Sequence, residues 1–154
     1  MYKRQGLVGQ FRFEELANLP VRVDYGSEFR YRNPVMDDKT LFVAITQSGE
    51  TVDTLAALEE ARNKGAHLAS IVNVIGSQAA RLADSLITMQ VGPEIGVAST
   101  KAFTASLVDQ YLLAIHLGTL RGALGARRRR QLLDDLARLP ALVSRVLDLS
   151  LIHI

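Results

Sequence analysis

Three hydroxyl-bearing residues occur close together at 46–51, in the sequence TQSGET. A continuously apolar run, LFVAI at 41–45, precedes this segment, and an amphipathic helix is predicted from 51 to 64. In an open α/β sheet, ligands bind beyond the carboxyl ends of the strands, where the next helix offers unpaired N–H groups and the positive end of its dipole. The segment contains no lysine or arginine. It therefore predicts a phosphate site whose donors are neutral hydroxyl, amide and backbone groups.

The same residues also fit a purely structural role. Ser48 or Thr51 would be a good N-cap for the following helix, and Glu50 would be favourably placed in its first turn. A turn rich in serine and threonine is common between a strand and a helix. The pattern alone therefore leaves phosphate binding and helix capping both open.

A second segment, GPEIGVASTK at 92–101, lies between a predicted strand and a long apolar helix. Its two glycines allow the backbone to approach a ligand closely, but Ser99 or Thr100 would equally serve as a helix N-cap. The carboxyl ends of parallel strands meet at one edge of a sheet, so this segment and 46–51 are expected to lie at the same edge. That placement favours a binding site over two unrelated turns.

Alternating strand and helix patterns indicate one α/β domain. Continuous apolar runs predict buried parallel strands, and apolar residues three and four apart predict helices. Right-handed crossovers onto a parallel sheet follow from this order. The predicted strands are 21–25, 41–45, 67–72 and 85–90, and the predicted helices are 51–64, 78–82, 100–120 and 127–139, the last ending at Pro140. Residues 11–19 are predicted to be the tail of a further helix that ends before Pro20.

The composition of the chain argues against several kinds of chemistry and of partner. The chain has 154 residues, no cysteine and a net charge of +2, so thiol chemistry is excluded within it and neither nucleic acid nor a membrane is implied as a partner. No His, Asp and Glu cluster has the spacing of metal ligands, and His67 and His116 are expected to be structural. The basic run Arg127 to Arg130 lacks interleaved aromatic residues and fits a solvated helix start. Without a signal segment, a cytoplasmic location is the default expectation.

Three segments, taken in order, carry a resemblance to a known family: SEFRYR at 27–32, TQSGET at 46–51 and EIGVASTKAF at 94–103. From about Gly6 to Leu120 the chain resembles the glutamine–fructose-6-phosphate aminotransferases, also called glucosamine-6-phosphate synthases. A Ser-Gly-Glu-Thr loop is typical of many sugar isomerase (SIS) proteins, whereas the other two segments are more specific. The resemblance implies the first SIS domain of an isomerase module, with a flavodoxin-like parallel sheet and flanking helices.

The resemblance also implies ligands and residue roles. The substrate would be fructose 6-phosphate, the product would be glucosamine 6-phosphate, and no cofactor or metal would be needed. Val97 and Ser99 would contact the sugar, while Glu50 and Lys101 are possible orienting residues. Relatives often carry serine where this chain has threonine at 46, and the hydroxyl is kept. The residues expected to bind the phosphate are Thr46, Gln47, Ser48, Gly49 and Thr51.

The catalytic groups of the family are expected to lie outside this chain. By resemblance, the glutamate, lysine and histidine that act on the sugar belong to the second SIS domain, and the cysteine that cleaves glutamine belongs to a separate glutaminase domain. We therefore expect substrate-binding residues here and no catalytic residue, so that the chain alone is inactive. The intact relative is expected to be a homodimer.

Both ends of the chain, 1–5 and 149–154, are expected to be translated sequencing adaptor. Leu149 to Ile154 can be encoded by DNA whose reverse complement encodes Asp-Val-Tyr-Lys-Arg-Gln, and a GTG start in that string yields Met1 to Gln5. Such a pair resembles one transposon-type sequencing adaptor on each side of an insert. On this interpretation, 6–124 are a partial SIS domain whose first strand is missing through truncation, and 125–148 are a linker helix toward a second SIS domain.

Two other functions stay open. A sugar-phosphate-sensing SIS module of a transcriptional regulator would adjoin a helix-turn-helix domain, and a single-SIS aldose–ketose isomerase would need no second SIS domain. The segment at 94–103 favours the aminotransferase over both.

Overall fold

The computed structural model describes residues 2–95 and 99–149 of the chain. Strands and helices alternate in this part, which confirms the predicted α/β class. The elements in chain order are α1 (Tyr2–Ala17), α2 (Gly26–Phe29), β1 (Leu41–Thr46), α3 (Val52–Asn63), β2 (His67–Val72), α4 (Gln78–Leu82), β3 (Ser85–Thr88), α5 (Lys101–Leu120) and α6 (Ala126–Leu149).

The strands form one parallel sheet in the order β1-β2-β3, with β2 in the centre. At the carboxyl end of the sheet, Thr46 of β1 pairs with Val72 of β2, and Val72 pairs in turn with Thr88 of β3. The last residues of all three strands therefore lie side by side. Each loop that follows a strand leaves from the same edge.

Helices cover both faces of this sheet. On one face α3 packs on β1 and β2, where Leu58 and Leu68 are 0% and 1% exposed. On the other face Ala102 of α5 packs against Ile71. Leu68 and Ile71 are three residues apart in one strand, so their side chains point to opposite faces. Farther out, α1 packs on α5, with Leu16 in a cluster that also includes residues of α5.

Most predicted elements are confirmed within one or two residues. The strand at 67–72 and the short helix at 78–82 have the predicted bounds, and α5 begins one residue later than predicted. Gly65, with φ of +84°, follows α3 in the left-handed conformation expected there. β3 ends at Thr88, and Gln90 already has a positive φ of 53°. The four-residue helix α2 was not predicted.

Two predicted elements are wrong. The segment 21–25 is not a strand, because no strand in the described part of the chain lies beside it to complete a ladder; Val21 packs instead against the cluster between α1 and α5. The final helix does not stop at Pro140 but contains it. A proline removes one helical hydrogen bond, yet the apolar spacing continues through Val143 and Val146, so the amphipathic pattern resumes after it.

Gln5 lies in the stretch that the sequence assigns to an adaptor. It is nevertheless 1% exposed, and its Nε2 donates a hydrogen bond to the Phe103 carbonyl at 3.2 Å. The adaptor origin of the two ends stays a prediction. Within residues 2–95 and 99–149, no helix has the length and apolar character needed to cross a membrane.

Candidate functional site

The loop after β1, residues 46–51, is folded on itself by short-range hydrogen bonds. Thr46 is 3% exposed, and its Oγ1 accepts a hydrogen bond from the Gly49 N–H at 3.2 Å. Ser48 Oγ accepts a hydrogen bond from the Glu50 N–H at 3.3 Å. A hydroxyl that accepts one hydrogen bond keeps its own O–H to donate. Both side chains therefore shape the loop and retain a donor for an acceptor such as phosphate.

Gly49 is required by both its backbone conformation and its surroundings. Its φ is +71°, a region that residues with a Cβ rarely adopt. A Cβ on this residue would also lie 2.1 Å from Ser77 Oγ and 3.0 Å from Val72 Cγ2. The loop can thus approach the start of α4 only because this position has no side chain.

The helix-capping alternative is not what the structure shows. Thr51 occupies the N-cap position of α3, with an extended backbone, but its side chain makes no capping hydrogen bond. Ser48 accepts from the Glu50 N–H, which precedes the helix, rather than from a first-turn amide. Neither hydroxyl therefore caps the N-terminus of α3. The N–H groups of the first helical turn stay free to bind an anion held by the preceding loop.

The one carboxylate of this loop is turned toward α4. Glu50 Oε1 accepts a hydrogen bond from the Gln78 N–H at 2.9 Å, and Oε2 accepts one from Gln78 Nε2 at 2.7 Å. The bonds to Gln78 hold the pKa of Glu50 below its usual value of 4.5, and the positive charge of Arg81 acts in the same direction. The carboxylate therefore stays charged, and both of its oxygens are engaged by donors of Gln78.

The segment after β3 has a similar arrangement. Glu94 Oε1 accepts hydrogen bonds from the Thr100 N–H at 2.7 Å and from Thr100 Oγ1 at 3.2 Å. The bond from the Thr100 N–H is the main reason why the pKa of Glu94 lies below 4.5. The Ser99 hydroxyl faces the same carboxylate and also lowers this pKa, although Ser99 Oγ makes no hydrogen bond of good geometry with a described residue.

Lys101 and Val97 complete the predicted residues of this segment. Lys101 is the first residue of α5 and is exposed, and it forms no ion pair within the described part of the chain. Val97 lies outside the described residues. No group of three or more His, Cys, Asp or Glu residues within 2–95 and 99–149 is arranged to hold a metal ion.

Asn73 joins the two loops and was not identified from the sequence. It follows the central strand β2, and its backbone N–H donates to the Gln47 carbonyl at 3.1 Å. Its side-chain Nδ2 donates to the Gly92 carbonyl at 2.8 Å, and its Oδ1 accepts from the Val91 N–H at 3.2 Å. The signal that was available was its position, because it stands directly after a buried strand, as Gln47 does. The structure thus brings 46–51 and the start of 92–101 to one edge, as predicted.

Comparison with known proteins shows a consistent set of relatives. A glutamine–fructose-6-phosphate aminotransferase (isomerizing) of Thermus thermophilus is 50% identical over 93% of this chain, and one of Clostridium tetani is 46% identical over 93% of it. The chain covers 24% of each of these relatives, so it spans about a quarter of their length.

The fold has a close structural counterpart as well. The C-terminal domain of glucosamine-fructose-6-phosphate aminotransferase from Francisella tularensis superposes with a TM-score of 0.92 at 36% identity, over 96% of this chain and 42% of that one. The SIS domain family matches residues 4–116, which hold all three strands and the loops that follow them. The chain belongs to the SIS domain family.

Proposed function

We propose that this chain is the sugar-phosphate-binding SIS half of a glutamine–fructose-6-phosphate aminotransferase. The ligand is fructose 6-phosphate, or the product glucosamine 6-phosphate, and it lies at the carboxyl edge of the sheet. The observation that carries the proposal is the alignment of Thr46, Val72 and Thr88, which places both candidate loops at this edge. The aminotransferases among its relatives support the choice of sugar phosphate over a ligand of another class.

The loop after β1 binds the phosphate in this proposal. Its donors are the hydroxyls of Thr46, Ser48 and Thr51, the side-chain amide of Gln47, and backbone N–H groups at Gly49 and in the first turn of α3. Charge-assisted hydrogen bonds of this kind contribute about 1.5–3 kcal/mol each. The carboxylate of Glu50 does not oppose the phosphate, because it is bonded to α4.

The segment after β3 contacts the sugar. Val97 and Ser99 are the proposed contacts, with Glu50 and Lys101 as orienting residues. The carboxylate of Glu94 holds the turn before α5 through Thr100, and this fixes where Ser99 lies. No residue of the chain is proposed as catalytic. The chemistry belongs to a second SIS domain and a glutaminase domain of the same enzyme, which we propose to be a cytoplasmic homodimer.

The direct test is calorimetric titration of the chain with fructose 6-phosphate, glucosamine 6-phosphate and fructose. Both phosphorylated sugars are expected to bind, and fructose is expected to bind at least about 100-fold more weakly, since it forfeits several charge-assisted hydrogen bonds. Equal binding of fructose and fructose 6-phosphate would overturn the proposal.

A pair of serine variants locates the site on the sheet. Ser48→Ala removes a hydroxyl at the carboxyl edge and is expected to weaken fructose 6-phosphate binding by roughly 10-fold to 100-fold, the loss of one hydrogen bond to a charged group. Ser85→Ala is the control, because Ser85 is an exposed residue that begins β3 and so lies at the opposite edge. A larger effect at Ser85 than at Ser48 would place the ligand elsewhere.

The aminotransferase assignment is tested separately by a chimera. Residues 4–116 replace the matching segment of the Thermus thermophilus enzyme, and formation of glucosamine 6-phosphate from fructose 6-phosphate and glutamine is measured. An active chimera is expected. A chimera that folds and binds fructose 6-phosphate but forms no product would favour a sensor or a single-SIS isomerase as the source of this segment.

A further inference from the structure

Asn73 is the residue through which the two candidate loops are connected. Its backbone N–H is bonded to Gln47 in the first loop, and its side chain is bonded to Val91 and Gly92 at the start of the second. It stands after β2, the central strand, so the loops after β1 and β3 lie on either side of it. Its bonds therefore hold the start of the second loop beside the first.

The side chain meets two opposite requirements, one with each end of its carboxamide. The Val91 N–H is a donor and needs an acceptor, which fixes Oδ1 on that side, while the Gly92 carbonyl needs a donor, which fixes Nδ2 on the other. An aspartate would offer two acceptors and would set a negative oxygen against the Gly92 carbonyl. An alanine would leave both backbone groups without this partner.

The two loops have different tasks in the proposed function, on which this inference rests. The loop at 46–51 binds phosphate, and the segment that begins at Gly92 binds the sugar to which the phosphate is attached. A ligand that spans both loops depends on the distance between them, whereas inorganic phosphate occupies the first loop alone. Neither Glu50 nor Glu94 sets this distance, because Glu50 is bonded to α4 and Glu94 to Thr100 in its own segment.

We propose that Asn73 is a positioning residue that sets the separation of the two loops and thereby selects a phosphate ester of a sugar over free phosphate. It acts on the ligand through Gln47, Val91 and Gly92 and does not contact it. Its loss is expected to reduce selectivity for the sugar phosphate while the phosphate loop itself stays intact, because the backbone bond to Gln47 is made whatever the side chain.

The experiment compares two probes, fructose 6-phosphate and inorganic phosphate, by titration calorimetry of the whole chain. In Asn73→Ala the dissociation constant for fructose 6-phosphate is expected to rise about tenfold or more, and that for inorganic phosphate to change by less than about twofold. If the alanine variant does not fold, Asn73→Asp is compared by the ratio of the two dissociation constants, because its negative charge weakens the binding of both probes. Asn63→Ala is the matched control, since Asn63 is exposed at the end of α3, away from both loops.

The possible outcomes distinguish a failure of this inference from a failure of the proposed function. A wild-type chain that binds fructose 6-phosphate no more tightly than inorganic phosphate contradicts the proposed function. A wild-type chain that prefers fructose 6-phosphate, with folded Asn73 variants that keep the full preference, overturns the role of Asn73 and leaves the function standing. Equal weakening of both probes also overturns it, because Asn73 would then only support the phosphate loop.

Discussion

The carboxylate of Glu50 accepts two hydrogen bonds from Gln78, one from its backbone N–H at 2.9 Å and one from its side-chain Nε2 at 2.7 Å. Glu50 lies in the loop after β1, and Gln78 is the first residue of α4, which follows the loop after β2. Both loops leave the same edge of the sheet. Glu50 is therefore tied to the start of α4, with both of its carboxylate oxygens engaged. This contact explains how a glutamate can stand in a loop that is proposed to bind phosphate.

Glu50→Gln is expected to weaken the connection between these loops and to change the response to acid. The new amide keeps an acceptor for the Gln78 N–H but sets its NH₂ against the NH₂ of Gln78. Because the folded chain holds the pKa of Glu50 below 4.5, the contribution of the carboxylate to stability is present above about pH 4.5 and is lost as the pH falls through the lowered value. The melting temperature of the variant should accordingly fall less steeply than that of the wild type between pH 5 and pH 3.

The control for this titration is Glu59→Gln, an exposed position on α3. It should reproduce the acid response of the wild type. Part of the response remains in Glu50→Gln, because the pKa of Glu94 is lowered too and acts with the same sign. If the two variants had identical acid responses, the bonds to Gln78 would have no bearing on stability.

Gly49→Ala is expected to be strongly destabilising, and Gly122→Ala only mildly so. Both glycines have φ of +71°. The backbone strain that a Cβ introduces is therefore the same in the two variants, about 1–2 kcal/mol. At Gly49 the Cβ would also meet Ser77 Oγ at 2.1 Å, whereas nothing lies within 4 Å at Gly122. Overpacking adds about 1–3 kcal/mol at Gly49 alone. Urea unfolding of the two variants measures the difference, and equal free energies of unfolding would show that Ser77 moves aside without cost.

The sequence predicted where the two candidate loops lie better than how they are connected. Strand ends and the loops after them follow from local apolar patterns, which is why 46–51 and the start of 92–101 were expected at one edge. Asn73 was missed because a single asparagine after a strand is an ordinary turn residue. Its side-chain partners are 18 and 19 positions away, a distance that no local pattern reports.

The two wrong elements have related causes. The segment 21–25 has the alternation of a strand, but a strand forms only where a neighbour completes its ladder, and that neighbour is not encoded locally. The sequence predicts a helix end at Pro140 because proline disfavours helix. The structure instead keeps the helix through it, since one lost hydrogen bond is a small part of a long helix with continuing apolar spacing.

Asp109 of α5 is expected to destabilise the chain at neutral pH. It is partly buried, its Oδ2 is inaccessible, and this oxygen has no hydrogen-bond partner among the described residues. Burial raises the pKa of Asp109 from 3.8 to about 6. Its protonated form therefore contributes stability that is fully present below about pH 3.8 and is lost as the pH rises through about 6.

Asp109→Asn removes this titration and should raise the free energy of unfolding at pH 8 by about 1–2 kcal/mol, less than for a fully buried carboxyl because solvent still reaches part of the group. At pH 4 the variant and the wild type should be nearly equal. Asp134→Asn, an exposed position on α6, is the control and should have no such pH dependence. Urea unfolding at pH 4 and pH 8 measures the free energy of unfolding of both variants and of the wild type. If Asp109→Asn were less stable than the wild type at pH 8, the carboxylate would have a favourable partner.

The crossing of α1 and α5 contains two glycines whose replacement is expected to have different effects. A Cβ at Gly118 of α5 would lie 2.1 Å from the Leu16 carbonyl oxygen, which is backbone at the end of α1. A Cβ at Gly9 of α1 would lie 2.0 Å from Gln110 Oε1, the end of a flexible side chain. The first obstacle can be relieved only if a helix moves, and the second only needs a side chain to rotate.

Alanine in a helix interior is favoured over glycine by about 1 kcal/mol, and this gain applies to both variants. In Gly9→Ala it is offset by loss of the bond from Gln110 Nε2 to the Ser106 carbonyl, about 1 kcal/mol, so the free energy of unfolding should hardly change. In Gly118→Ala the displaced α1 also loses the hydrogen bond from Arg121 Nε to the Ala17 carbonyl, and a net loss of about 2 kcal/mol is expected. Urea unfolding measures the free energy of unfolding of both variants. If Gly118→Ala were as stable as Gly9→Ala, α1 would shift on α5 without cost.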